Sequence, residues 1–530
     1  MRTKLLIGVL VLAMALSMAV GVGAAEKKPV YGGTLHLSED VDAPGIDPQI
    51  DTTFVVYNLA RDIFNTLVRY GKNNLNLEPE LLARMPQVSA DGKNYKFELR
   101  KGVKFHDGTE LTANDVRFTF ERMLDPKTRA ASTWTLEEIA GAQEMLDGKA
   151  TSLKGFKVTG KYTFELTLKE PYAPFLSNLA VPAVSIFPEQ ATKKLGDKFP
   201  MQPVGTGPFK IKSWKRDSVL LLEKNKNYFE KGLPYLDAIE LRIIPDTTTS
   251  MLEFENGQQD VHTLLDQDYE RITTDPQWAD SIVANVPMNT YFLVFNVNNE
   301  ILKDVRVRKA ITMAVNRADL IKYVLPGKAL MARGFLSPGL PGYDPKFPTL
   351  PYDLKKAKEL LAEAGYPNGF TIESWQVKSD VTLRRNEAIQ AMLREIGVDM
   401  KIVQMDKAAW REARANGKIP MSLANWWADI GDPDNYLYVW FHSSQSKGFS
   451  SNYANPKVDE LLEKARISTD QAARLKMYQE AERIIINQDQ AIAPLWHLKE
   501  YYLIQPWVHG FYLHPTGVMS TYKQVWLDKH

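Results

Sequence analysis

The sequence predicts a mixed α/β protein of more than one domain, whose first domain is interrupted and then completed by the tail. Three observations carry this. The first half is rich in alternating apolar and polar residues, and the second half in runs of helical period. The last stretch, Tyr501 to Leu527, returns to apolar and aromatic strand-like residues. With a leader of about 25 residues set aside, about 505 remain, too many for a single hydrophobic core. No internal repeat or low-complexity linker divides the chain, and its composition, 44% hydrophobic and 24% charged, excludes a largely disordered protein.

The strands are legible by alternation. Tyr95 to Leu99 and Tyr162 to Leu168 each put their apolar residues on one face. Val219 to Leu222 and Ile239 to Ile244 look like further strands, and Tyr291 to Asn296 reads as a more fully buried one. Helices follow. The pattern predicts one from Arg306 to Leu325 and one from Leu354 to Ala364, capped by Asp353 and stopped by Gly365. Asn455-Pro456 opens a third, with Val458, Leu461, Leu462 and Ala465 inward, and Asp470 starts a fourth.

The leader has a location written into it. Arg2 and Lys4 precede an apolar run, Leu5 to Val22, which exits through Gly23-Ala24-Ala25 into charged Glu26-Lys27-Lys28. That order reads as an export signal removed from the mature protein. The chain has no Cys, so no thiol is present to carry a lipid anchor, and a soluble, extracytoplasmic protein is expected. No second apolar run reaches the length of a membrane span. Removing the leader takes the formal charge from +1 to about −1, with no basic block, so nucleic acid and anionic lipid are not expected partners.

A search for catalytic chemistry finds little. The eight His residues show no H-E-x-x-H spacing, and no Cys completes a zinc site, so structural or exposed histidines are expected. There is no G-x-S-x-G turn. Val204-Gly205-Thr206-Gly207-Pro208-Phe209 has the glycines of a phosphate loop but runs into Pro208 and a strand-like stretch, so it reads as a structural turn. Asp107-Gly108-Thr109 is a turn, and Thr112 with Asp115 forms a capping pattern. The segment Asn425 to Asn435 differs, packing Trp426, Trp427, Asp429, Asp432 and Asp434 into a stretch read as a loop after strand-like Met421 to Ala424. Indoles around a shielded carboxylate would grip an ammonium group. Two core tryptophans with turn-capping acids fit the same residues.

Several segments together resemble a known family. Leu99-Arg100-Lys101-Gly102-Val103-Lys104-Phe105-His106-Asp107-Gly108-Thr109, with Leu111 to Val116, is similar to a signature of the peptide-type solute-binding proteins of bacterial ABC importers. Val204 to Phe209, Asp304 to Ala310, the Asp353 to Gly365 helix, Gly431 to Asn435 and Gln505 to Val508 match in order. The resemblance implies a periplasmic-binding-protein-like fold: two α/β lobes joined by a hinge, with an extra subdomain in the first lobe. The expected division is 1–25 signal, 26–294 first lobe with inserted subdomain, 295–494 second lobe and 495–530 return to the first lobe, with crossings near Phe295 and Pro494. It implies a monomer without enzymatic activity, metal or cofactor, which closes on a short peptide and delivers it to a membrane permease.

By the same resemblance Asp429 pairs with the peptide's α-ammonium, and Trp426, Trp427 and Trp410 line the site. Thr53 and Phe54 form the first-lobe wall, with Trp134 and Trp496 as further candidates. Dipeptide-specific relatives hold the ligand carboxylate with an Arg after a Trp-containing strand. Trp375 to Asp380 has none, which leaves Lys378 as the substitute and longer peptides open. The competing cargo on the same scaffold is an oligosaccharide stacked on Trp426, Trp427, Trp410 and Trp440, with nickel or haem behind it. A secreted hydrolase is the alternative from another class.

Overall fold

The computed structural model describes residues 27–517 and 521–528; the expected signal at 1–25 lies outside the described residues. The first lobe is built on a four-stranded sheet in the order Thr34–Glu39, Ala238–Ile243, Val219–Lys224, Phe209–Lys215. Its first pair is parallel and the other two are antiparallel. The helix Phe54–Ile63 packs against it through Val56, Ala60 and Ile63. Between these elements the chain inserts an antiparallel subdomain sheet, ordered Gln87–Val88, Asn94–Glu98, Thr163–Thr167, Phe156–Gly160. Alternation works here as read: Tyr95, Phe97, Phe164 and Leu166 turn inward, and Phe97 stacks on Phe164 at 4.7 Å. The expected capping box opens the helix Ala113–Leu124, with Asp115 accepting from the Thr112 backbone at 2.9 Å.

The second lobe carries a six-stranded mixed sheet, ordered Ala329–Met331, Ile492–Leu498, Asn289–Phe295, Met421–Trp427, Phe370–Val377, Val398–Met405. Asn289–Phe295 is inside on both faces, which is why it lacks alternation. On one face its Leu293 and Phe295 pack with the helices Val305–Ala314 and Leu354–Glu363. On the other, Phe292 and Val294 pack with Asp434–Phe441 and Gln471–Arg483. Side-chain caps start these helices as the sequence implies: Asp353 accepts from Lys356 N, Asn455 from Lys457 N, and Asp470 from Ala472 and Ala473 N.

The structure differs from the sequence reading at one helix and at the lobe crossings. The single helix expected from Arg306 to Leu325 is two, Val305–Ala314 and Arg317–Val324. Val315 turns extended, and the Asn316 side chain accepts from Asp319 N at 3.2 Å, so an N-cap restarts the chain where periodicity alone ran on. The expected crossings near Phe295 and Pro494 fall inside strands of the six-stranded sheet. Ile282–Asn285 and Glu500–Ile504 pair in a separate three-stranded sheet with Val261–Thr263, so the chain passes between sheets at 286–288 and at Lys499. Apolar strands on both sides of each crossing hide the boundary from composition.

The glycines of Val204 to Phe209 serve close approach. A Cβ on Gly205 would lie 2.0 Å from the Ile63 carbonyl, and one on Gly207 2.4 Å from that of Asp62. Among the described residues no helix is long and apolar enough to cross a membrane, and no cluster of three or more His, Cys, Asp or Glu could hold a metal ion. His497 and His514 are buried, and burial pushes each down to about 4, as structural histidines.

Candidate functional site

The site is organised by the strand Met421–Trp427 and the turn that follows it. The strand extends three residues beyond the expected loop start, pairing Trp426 with Thr290 and Trp427 with Asn289. Strand alternation therefore sends the two indoles to opposite faces of the sheet. Trp426 meets Trp440 and Phe449 edge-on at 5.8 Å each. Trp427 meets Phe54 of the first lobe edge-on at 5.7 Å. The adjacent tryptophans are two walls, not one stacked pair.

The turn 428–433 plugs into the first lobe. Ile430 is 1% exposed and belongs to the apolar cluster of the inserted subdomain. Gly431 N donates to the Tyr70 hydroxyl at 2.9 Å, and a Cβ on Gly431 would come within 2.8 Å of Leu75. Further along the same boundary, Tyr172 OH donates to Asp434 at 3.3 Å and Ala173 N to the Arg466 carbonyl at 2.8 Å. The lobes are thus in contact, and the chain is described in a closed form.

Between them lies a cavity of about 400 Å³. Trp134, Glu137, Glu138 and Tyr172 of the inserted subdomain line one side, and Trp426, Asp429, Tyr438, Phe449 and Arg466 of the second lobe the other. Asp429 has one partner residue: its N–H donates to Asn435 Oδ1 at 2.9 Å, and Asn435 Nδ2 donates back to its carboxylate at 3.2 Å. No cation lies within ion-pair distance of it among the described residues. Burial pushes its carboxyl up to about 6, and the Asn435 amide only partly offsets this. Its charge is felt at the hydroxyls of Tyr57 in the first lobe and Tyr436 in the second. The Trp426 Nε1 is buried without a hydrogen-bond partner.

Three expected residues, Asp429, Trp426 and Trp134, thus share the cavity. Trp427 and Phe54 meet across the lobes on the other face of the strand, and Thr53 stands at the N-cap of the Phe54 helix without a side-chain capping bond. Trp410 lies one layer back, its ring and that of Phe449 each 5.1 Å from the Arg414 guanidinium. Trp496 does not line the cavity. It is 0% exposed and stacks on Tyr291 at 5.2 Å, because the strand Ile492–Leu498 lies deep in the sheet. Trp440, 3% exposed, is also core and offers no open stacking face. Lys378 is exposed at the end of Phe370–Val377.

Sequence reasoning missed Tyr172, Glu137, Tyr438 and Arg466, which come from four separate segments with no shared motif. It also missed Arg385. This arginine is 8% exposed, packs over Tyr291 and Trp496 at 5.3 and 5.8 Å, and has no carboxylate within ion-pair distance among the described residues. Tyr291 also contacts Trp427, which links Arg385 to the wall that Phe54 closes.

Comparison with known proteins agrees with this geometry. Residues 76–448 match the family model described as bacterial extracellular solute-binding proteins, family 5. Heme-binding protein A of Haemophilus influenzae is 31% identical, over 90% of this chain and 89% of its own length. Dipeptide-binding protein DppE of Bacillus subtilis is 30% identical, over 96% of this chain and 94% of its own. The solved periplasmic binding protein DppA of Helicobacter pylori, in complex with the peptide STSA, superposes with a TM-score of 0.78 at 31% identity, covering 94% of this chain and 99% of that one. These matches run through both lobes and the cleft between them, and the chain belongs to the family 5 bacterial extracellular solute-binding proteins: it is a substrate-binding protein of transport, not an enzyme.

Proposed function

We propose that this protein captures short peptides between its lobes and presents the closed form to the permease of an ABC importer. The observation that carries the reading is Asp429, a half-buried carboxylate that lines the interlobe cavity with Trp426 and has an amide but no cation to meet it among the described residues. An α-ammonium group supplies the missing charge, and the buried Trp426 Nε1 supplies a donor for a ligand carbonyl. Relatives named for dipeptides, and solved relatives holding peptides, support the same cargo.

The far end of the ligand has a cation on the other face of the strand. Arg385 is the better holder of its carboxylate: it is buried and lacks a counter-charge, whereas Lys378 stands in solvent. Thr53, Phe54 and Trp427 form the wall between these two ends. Trp410 supports it from behind through Arg414 and Phe449, and Trp496 backs Arg385 from the core. An oligosaccharide fits less well, because Trp440 is core and Trp426 is already met by two ring edges. The two short passages at 286–288 and Lys499 are the hinge, and the protein works as an exported monomer freed from its signal, without a lipid anchor.

Thermal unfolding with and without ligand tests this. Short peptides with a free amino end stabilise the protein, by about 2.7 kcal/mol at 100 times Kd, and N-acetylated versions stabilise it much less. Equal stabilisation by both would reject the ammonium clamp. Stabilisation by oligosaccharides alone would replace the cargo.

A further inference from the structure

The charge inventory of the cavity is lopsided in a way that one α-ammonium does not balance. Four carboxylates line it, Asp429, Asp434, Glu137 and Glu138, against one cation, Arg466. Arg466 is already committed: its Nε lies 3.2 Å from Asp434, and its guanidinium sits 4.7 Å from the Tyr172 ring and 3.7 Å from that of Tyr438. Asp434 is further satisfied by the Tyr478 hydroxyl at 2.9 Å. Glu138 has Lys169 at 3.7 Å and Arg466 at 3.9 Å. Two carboxylates remain without a cation among the described residues: Asp429, held by Asn435, and Glu137, which accepts only from the Thr133 hydroxyl at 2.8 Å.

The rest of the lining suits a second positive group. Trp134 and Trp426 line the same space, and Glu137, three residues after Trp134 in the chain, lines it too, so a cation entering there meets a carboxylate and indoles in one cavity. A cavity of about 400 Å³ has room for one long side chain and its waters. The buried, unpartnered Trp426 Nε1 calls separately for an acceptor on the same ligand. An ammonium at Asp429, a carbonyl at Trp426 and a second cation at Glu137 are the functional groups of a peptide that begins with a basic residue.

We infer that this cavity is a specificity pocket for a cationic first side chain, lysine- or arginine-like, with Glu137 as the selecting residue. The inference rests on the peptide reading above and adds the class of peptide. An apolar first residue fills the space but leaves Glu137 desolvated without a counter-charge. An acidic one sets like charge against Glu137 and Glu138.

Isothermal titration with Lys-Ala, Arg-Ala, norleucine-Ala and Glu-Ala tests it, since norleucine keeps the length of lysine without the ammonium. The expected result is that Lys-Ala and Arg-Ala bind at least tenfold tighter than norleucine-Ala, and that Glu-Ala binds weakest. Glu137→Gln should collapse the Lys/norleucine ratio toward one, weakening Lys-Ala and tightening norleucine-Ala, whose binding then no longer desolvates a bare carboxylate; an unchanged far-UV circular dichroism spectrum and thermal midpoint show that the variant is folded. A ratio near one in the unmodified protein overturns the pocket's selectivity and leaves the peptide reading standing. A ratio that survives Glu137→Gln overturns the role of Glu137. Failure of all four peptides to bind overturns the peptide reading and this inference with it.

Discussion

Asp432 and Asp429 stand three residues apart in one turn, one buried and one half-buried, with opposite surroundings. Asp432 is 7% exposed and receives both arms of Arg474, at 2.7 and 2.9 Å, while Arg474 itself is 2% exposed and also donates to the Ala465 carbonyl at 2.8 Å. Asp429 has only the neutral Asn435. A carboxylate whose cation is built into the fold holds the turn in place. On the proposed function, one whose cation is missing awaits a ligand. The pair therefore separates structure from function within a single loop, and it predicts that substitutions at the two positions fail in different assays.

The largest effect belongs to the structural partner. Arg474→Met keeps the volume of the side chain and leaves Asp432 buried without its counter-charge, at a cost of about 3–5 kcal/mol in unfolding free energy. Denaturant titration of the unliganded protein measures this. Asp429→Asn, in the same experiment, should leave stability unchanged or raise it, because it removes a charge that burial disfavours. A loss of stability in Asp429→Asn as large as that in Arg474→Met would break the comparison.

Ligand binding reverses the order of the two. Asp429→Asn should cost about 2–5 kcal/mol of peptide affinity, measured by calorimetry with a free-amino peptide, because the ligand ammonium then stays buried unpaired. The affinity of an N-acetylated peptide should barely change.

How much of this was legible in the sequence depends on the range of the interaction. Local devices were readable: the Thr112–Asp115 box, the Asp353, Asn455 and Asp470 caps, and the strands around Phe97 and Phe164 all follow from neighbours within a few residues. The break at Asn316 was local too, but the apolar period across it masked the cap. The residues of 425–435 drew attention to Asp429 and Trp426, the resemblance gave them roles, and Trp134 shares their cavity. Tyr172, Glu137 and Arg466 carry no signal of their own, since only folding brings 134–138, 172 and 466 to one cavity. Trp496 illustrates the converse: an indole near a crossing looks like a site residue until the sheet register buries it against Tyr291.

Acid sharpens the contrast between resting and liganded protein. In the unliganded fold the carboxyl of Asp429 is raised from 3.8 to about 6. A raised carboxyl gives stability that is full below its unfolded value and is lost as pH rises through about 6. Peptide affinity runs the other way, because the ammonium needs the ionised form. Affinity should therefore be flat near neutrality and fall about tenfold per pH unit below about pH 6. Titrations from pH 7.5 to 5 read this directly, and in Asp429→Asn the slope should vanish. A slope unchanged in that variant would assign the titration to another group.

The smallest effect lies on the wall that the other indole makes. Phe54 is 51% exposed on the first-lobe helix, so it gives up little by leaving Trp427, and on the proposed hinge their edge-to-face contact is lost when the lobes open. Phe54→Ala and Trp427→Ala should each weaken peptide binding modestly. The double-mutant cycle should return a coupling of about 0.5–1.5 kcal/mol, the value of one aromatic pair. Because Trp427 faces away from the cavity of Trp426 and Asp429, this coupling should be the same for free-amino and N-acetylated peptides. A coupling that depended on the free amino group would place the two indoles in one binding surface after all, and the division of the strand into an ammonium face and a closing face would fail.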